Sequence, residues 1–323
     1  MSIVLHRFQT NLTHDWDSFV SDSANGTLFH LRRFLSYHAP GKFIDYSWIF
    51  KVKNRIIGVF PAVLLTTAQE NSVVSHPGSS YGGIVYGNEM GIRQAHDMVH
   101  LLLQQIRQDK ISTVRITVPP VWYDVQPNQY IEFALLSEGF SYQKQELSSV
   151  VSLRSLPQDF EDSLADATRR AIQKAIKNGV TIEWSNNIRD YYSILKQNLS
   201  LRHNVKPTHS LSELIHLQEL FPDKIFLLAA FYEEKMIGGI VPFICNSRVV
   251  LAFYISHAME FQHLRAVDYL MASFINWARE KGFHYVDFGT FTLNMEPNWG
   301  LGKFKEKFSA RGAFRSTLIL TQK

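Results

Sequence analysis

The residue types best suited to chemistry in this chain gather near its end. Asp287-Phe288-Gly289-Thr290 closes an apolar run (Phe283, Tyr285, Val286, Phe288) with an acid and a glycine. That pattern reads as a buried strand stopping at a cleft. A loop then leads into Asn298-Trp299-Gly300-Leu301-Gly302-Lys303-Phe304-Lys305-Glu306-Lys307-Phe308. Leu301, Phe304 and Phe308 have helical spacing, so they predict a short helix with one apolar face. If Phe304 and Phe308 anchor that helix, Lys305 lies about 100° further round, at the cleft edge. An ammonium there would stabilise a tetrahedral oxyanion or neutralise a phosphate. Lys303 and Lys307 would point elsewhere. Asp287 would face the cleft, where it orients an amine or takes its proton. The plainer alternatives are a carboxylate that caps the following loop and three solvated, interchangeable lysines.

Other groups are less concentrated. Arg170, Lys174 and Lys177 share a helix face, which suits either solvent or an anionic substrate. His203 and His209 flank Pro207 in a polar connection and would touch an acceptor or stay solvated. Tyr81-Gly82-Gly83 would line an acceptor groove, or simply supply turn chemistry. His96 and His100 have ligand spacing, but no glutamate adjoins the first and no third ligand stands out, so no metal is expected. Cys245 lies in an apolar strand-like run and reads as a buried, inert thiol.

Composition bounds what these residues can belong to. The chain has 323 residues, enough for two ordinary domains. With 46% hydrophobic and 19% charged residues it is globular rather than disordered. No apolar run approaches the roughly 20 residues of a membrane helix, so no membrane span is expected. The first residues lack a secretory pattern, and a single cysteine favours a reducing compartment. A cytoplasmic location is therefore expected. The net charge of +4 permits phosphate-bearing ligands without demanding nucleic acid.

The elements that would carry these residues come in two series. In the first, a strand (2–8), helices (11–20 and 27–37) and a hairpin (46–66) lead to a glycine-punctuated stretch. An amphipathic helix follows, with Ala95, Met98, Val99, Leu102, Leu103 and Ile106 on one face, then a strand at 113–118, a helix ending at Gly139 and strand-rich residues 140–153. The second series begins with a helix from Ser155-Leu156-Pro157 to about Asn178. A strand (180–184), helices (190–201 and 211–220) and a hairpin (225–244) come next, then another amphipathic helix and the strand that reaches Asp287. The hairpins share Ile57-Gly58-Val59-Phe60-Pro61 and Ile237-Gly238-Gly239-Ile240-Val241-Pro242. The repeated order predicts a duplicated domain, 1–153 and 154–323, with the Asp287 and Lys305 segment in the second.

This order resembles the GNAT acyltransferase fold in tandem, and more closely its Fem-type branch of FemAB-like and BioF2-like proteins. The resemblance rests on Thr168 to Ala175 before Gly179-Val180, on Leu201 to Pro207, on Gln262 to Leu270, and on Asp287-Phe288-Gly289 with Gly300-Leu301 to Arg311-Gly312. It implies an α/β (α+β) fold of tandem GNAT-like domains, each a mixed β-sheet flanked by helices. It also implies a bacterial N-acyltransferase that moves an acetyl or aminoacyl group onto the amine of a small molecule or peptide. Asp287 and Lys305 would be catalytic. Tyr81, Gly82, Arg170, His203, Tyr254, His257, Arg265, Asn298, Lys303 and Arg311 would bind substrate, with Tyr254 and His257 on the strand that meets the donor's amide arm. The segment matching the coenzyme A diphosphate loop, Glu260 to Ala266, has no glycine, which leaves Arg265 as its charge. The donor is then acyl-coenzyme A or an aminoacyl-tRNA. Alternatives are a tRNA-dependent transferase that builds peptidoglycan bridges and a catalytically inactive binding module.

Overall fold

Two tight hairpins, each with at least one turn residue in the left-handed region, set the local frame of the two halves. Strands Trp48–Val52 and Arg55–Phe60 meet at a turn that begins with Lys53 (φ 54°). Strands Leu227–Tyr232 and Lys235–Ile244 meet at Glu233 and Glu234 (φ 48° and 63°). Positive φ at such turns matches the twist of the flanking strands.

The computed structural model describes residues 2–67, 70–203 and 206–322, with the side chains of 201–203 outside that description. It divides into two units, Met1–Glu146 with Phe314–Lys323, and Leu147–Ala313. In chain order the first series is β1 (Ile3–Arg7), α1 (Thr13–Asp22), α2 (Arg32–Leu35), β2 (Ile44–Asp45), β3 (Trp48–Val52), β4 (Arg55–Phe60), β5 (Val63–Thr66), β6 (Asn71–Ser75), β7 (Val85–Tyr86), α3 (Ile92–Gln108), β8 (Thr113–Thr117), α4 (Tyr130–Ser137) and β9 (Ser141–Ser152). The second is α5 (Asp166–Lys177), β10 (Thr181–Ser185), α6 (Ile188–His203), α7 (Leu211–Leu220), β11 (Leu227–Tyr232), β12 (Lys235–Ile244), β13 (Val249–His257), α8 (Ala266–Glu280), β14 (Tyr285–Thr290), β15 (Thr292–Leu293), β16 (Glu296–Pro297), α9 (Trp299–Glu306) and β17 (Arg311–Thr321).

The order β1, β3, β4, β7, α3, β8, α4, β9 recurs as β10, β11, β12, β13, α8, β14, α9, β17, with β2, β5 and β6 as additions to the first series. The closing strands are exchanged. Ser148–Ser152 of β9 pair antiparallel with β14 in the second unit, and Thr317–Thr321 of β17 pair antiparallel with β8 in the first. This exchange puts the division at Leu147 rather than residue 153, and returns the last strand to the first unit. The second unit's strands run in the order β10-β11-β12-β13-β14-β9, antiparallel except for β13 beside β14. The first unit holds a four-stranded sheet, β1-β3-β4-β7, and the strands β17-β8-β6-β5-β2.

Burial supplies the stability of both units. All six residues on the apolar face of α3 are buried, and each large one contributes about 1.5–3 kcal/mol. In the second unit the buried face of α8 does the same over β11, β12 and β13. Two expected helices are shorter than their sequence patterns. The stretch from Ser155 to Leu164 is irregular, and α5 begins only at Asp166, because Phe160 and Leu164 must both turn into the core. The helix expected at 27–37 breaks at Leu31 (ψ 134°) into a 3-10 turn and α2.

Candidate functional site

The site grows from the end of β14. Val286, Asp287 and Phe288 are all buried, so the strand carries its acid into the interior, where Asp287 is 0% exposed. A buried carboxylate needs donors. Oδ1 of Asp287 accepts from the hydroxyl of Ser148 on β9 and from the Gly289 amide at 2.7 Å. Gly289 has φ 70°, a left-handed conformation that glycine adopts without a Cβ penalty, and the chain turns there. The hairpin of β15 and β16 follows, with Asn294 and Met295 both at positive φ.

Asn298 then starts α9 as its N-cap, its side-chain oxygen accepting from the Leu301 amide at 3.0 Å. The inward residues of this stretch are Gly302, Lys305 and Phe308. At Gly302 a Cβ would stand 2.9 Å from the ring of Phe291, so glycine lets the helix approach that ring. Close approach seats Lys305 over the end of β14. Its Nζ donates to the carbonyls of Gly289 (2.8 Å) and Thr290 (3.1 Å), and the residue is 3% exposed. Burial pushes the Lys305 ammonium down to about 8, and the nearby Asp287 charge pulls against that shift.

Two expectations about this helix are corrected. Its buried face is not Leu301–Phe304–Phe308, since Leu301 is 37% exposed and Phe304 half-buried. Lys305 does not project at a cleft edge; it turns inward, because the strand-end carbonyls replace water as its acceptors. Lys303 and Lys307 are exposed, and Lys307 lies 5.5 Å from the Phe304 ring centre. The three lysines are therefore distinct in environment.

Other sequence-predicted residues fall elsewhere. Tyr254 on β13 is buried, and its hydroxyl bonds the His209 amide (3.1 Å) and Nδ1 (2.9 Å), which tie down the start of α7. Burial pushes that phenol up to about 12. The carbonyl of half-buried His257 accepts from Asn198 at 2.9 Å. Arg170 is exposed on α5, as are Lys174 and Lys177. Arg311 is exposed at the start of β17. His203 ends α6, and its side chain lies outside the described residues.

In the first unit Tyr81 is buried, its hydroxyl 3.2 Å from that of Tyr123. Gly82 is required by close packing, since a Cβ would overlap the Ser75 carbonyl. Ser148 and Gly302 were not foreseen. Glycine three residues before the central lysine was the available signal for Gly302, while a lone serine on a distant strand carries none.

The approach to α8, the segment expected from the sequence to match a coenzyme A diphosphate loop, is not built as a backbone cradle. Met259–Leu264 form a 3-10 helix and Arg265 is left-handed (φ 63°). Arg265 is ion-paired to Asp268 Oδ2 at 3.0 Å, and Glu260 to Lys235 at 3.0 Å. Side chains and an acid stand where small residues and open amides would be needed, so the group does not fit there. Among the described residues no helix is long and apolar enough to cross a membrane, and no three His, Cys, Asp or Glu side chains are grouped to hold a metal.

No family model matches the chain, and no curated protein matches it significantly. Solved structures do match. That of FemX aligns over 100% of this chain and 98% of its own, with a TM-score of 0.74 at 12% identity. A tandem GNAT protein from the clavulanic acid biosynthesis pathway aligns over 99% and 98%, at 0.59 and 10%. The L-PGS of Bacillus licheniformis aligns over 81% and 80%, at 0.55 and 10%.

Proposed function

We propose that this chain, with its fold of the GNAT/Fem type, is an N-acyltransferase that moves an activated acyl or aminoacyl group onto an amine. One observation carries the reading. Lys305 is buried at the end of β14 beside Asp287, and its two hydrogen bonds use two of its three N–H groups. In the reaction the amine attacks the donor's ester carbonyl carbon and the carbonyl oxygen becomes an oxyanion; as the C–N bond forms and the C–O bond to the donor breaks, the amine's proton passes to the departing oxygen. The third N–H of Lys305 is left to donate to that oxyanion, in a low-dielectric setting where such a donor is worth most. Asp287 serves as a positioning residue: it holds the Gly289 turn and keeps Lys305 charged. Asn298 sets the start of the helix on which Lys305 rides, and Lys303 and Arg311 lie exposed around it for the donor's phosphates.

The donor reading follows from α8. With no cradle for a coenzyme A diphosphate, an aminoacyl ester such as aminoacyl-tRNA is favoured over acyl-coenzyme A. The acceptor is the amine of a small molecule or peptide. The test is transfer of a radiolabelled acyl group from aminoacyl-tRNA or acetyl-coenzyme A to a panel of amines and amine-bearing peptides. Lys305→Met should lose about a hundredfold in rate. Lys303→Met and Lys307→Met should keep most of theirs. Equal loss in all three, or none, overturns the role of Lys305. Donor binding without turnover in any pairing would make the chain a binding module instead.

A further inference from the structure

A cavity lies within the first unit, lined by Gly82 and by no residue of the Lys305 site. It encloses about 240 Å³ between the glycines after Tyr81 and the Pro119-Pro120 turn that ends β8. Among the described residues that line it, the charged ones are both acids, Asp124 and Glu132; none is Lys, Arg or His. Asp124 is buried, and its Oδ2 accepts from the Tyr86 hydroxyl at 2.7 Å. Glu132 is half-buried and accepts from Gln129 Nε2 (3.0 Å) and the Tyr142 hydroxyl (3.1 Å). Four aromatic side chains, Tyr86, Trp122, Tyr142 and Phe314, complete the wall. The indole Nε1 of Trp122 is buried with no hydrogen-bond partner among the described residues.

Two carboxylates and aromatic faces attract a cation by charge and by the ring quadrupoles. They repel an anion. The side-chain amides of Asn128, Gln129 and Gln145, also in the wall, can donate to an oxygen on the ligand. We propose that this cavity is a binding site for a small organic cation, a primary ammonium with a neighbouring carbonyl oxygen, as in an amino-acid amide. The same chemistry disfavours free amino acids, whose carboxylate would meet Asp124 and Glu132.

The probe is L-alaninamide, titrated calorimetrically into the full chain at low salt, beside L-alanine and propionamide. Alaninamide should bind saturably, and each comparison compound should bind at least about tenfold more weakly, the loss expected for one charged hydrogen bond. Asp124→Asn, which keeps an acceptor for Tyr86, should weaken alaninamide by about the same factor. Glu132→Gln, at a more exposed position, provides the second reading if the first variant melts early. Lys305→Met should bind alaninamide as the unmodified chain does, so loss of transfer and loss of this site are separable. Equal affinity for the three compounds, no saturable binding in the millimolar range, or unchanged affinity in both acid variants overturns the proposal.

Discussion

Replacing Lys305 by methionine should change how stability depends on pH, and the size follows from the site. The unfolded lysine holds its proton up to its ordinary value of 10.5, whereas burial lets the folded one release it at about 8. Between those values the unfolded chain binds more protons, so stability rises with pH. The gap corresponds to about 3 kcal/mol, which the folded protein gives up at neutral pH to keep a charged Lys305 inside. The full contribution is present above 10.5 and is lost as pH falls through 8. Lys305→Met removes the titrating group. The unmodified chain should therefore gain on the variant by about 2 kcal/mol between about pH 7.5 and about pH 9.5. The buried tyrosines act in the opposite sense and only near and above their ordinary value of 10, and the variant shares them. Urea denaturation of both proteins at the two pH values measures the difference. A constant difference would refute the buried, titrating Lys305 from which the proposed mechanism starts.

Further outcomes follow from the same contacts. Asp287→Asn keeps an acceptor for the Gly289 amide and so should keep the fold, but without the Asp287 charge Lys305 should release its proton at lower pH; urea denaturation would show stability rising earlier, and transfer should slow. Gly82→Ala should destabilise by about 1–3 kcal/mol through overlap with the Ser75 carbonyl, whereas Gly87→Ala, with nothing nearer than 4.0 Å to its Cβ, should melt nearly unchanged. Arg265→Ala should cost about 1–3 kcal/mol at neutral pH, because Asp268 then stays buried without its ion pair. Burial already raises the Asp268 pKa and Arg265 opposes that rise, so the deficit should shrink in acid, where a raised carboxylate costs least; thermal melts at neutral and acidic pH test the sign.

The sequence by itself determined the repeated order of elements, and it did so through local physics. The six-residue apolar face of α3 has one periodicity it can satisfy, and each hairpin joins two strand-like apolar runs across a short polar turn. The resemblance drawn from Asp287-Phe288-Gly289 and the following lysine segment pointed to the fold that the solved structures share. The sequence also drew attention to Asp287, as an acid ending an apolar run, and to Lys305, which follows Phe304 in the short helix.

The rotation of α9 was decided by tertiary structure alone. Periodicity favours Leu301 and Phe304 as its inner face, yet Gly302 fits beneath Phe291 and the strand-end carbonyls take the ammonium, so Lys305 goes inside. The same holds for Ser148, which reaches Asp287 from 139 residues away, and for the exchange of closing strands that sets the unit division at Leu147. These depend on which backbone groups lack partners once the sheets have formed. A linear pattern carries the period of each element, but the partners of its polar groups are chosen only when distant segments meet.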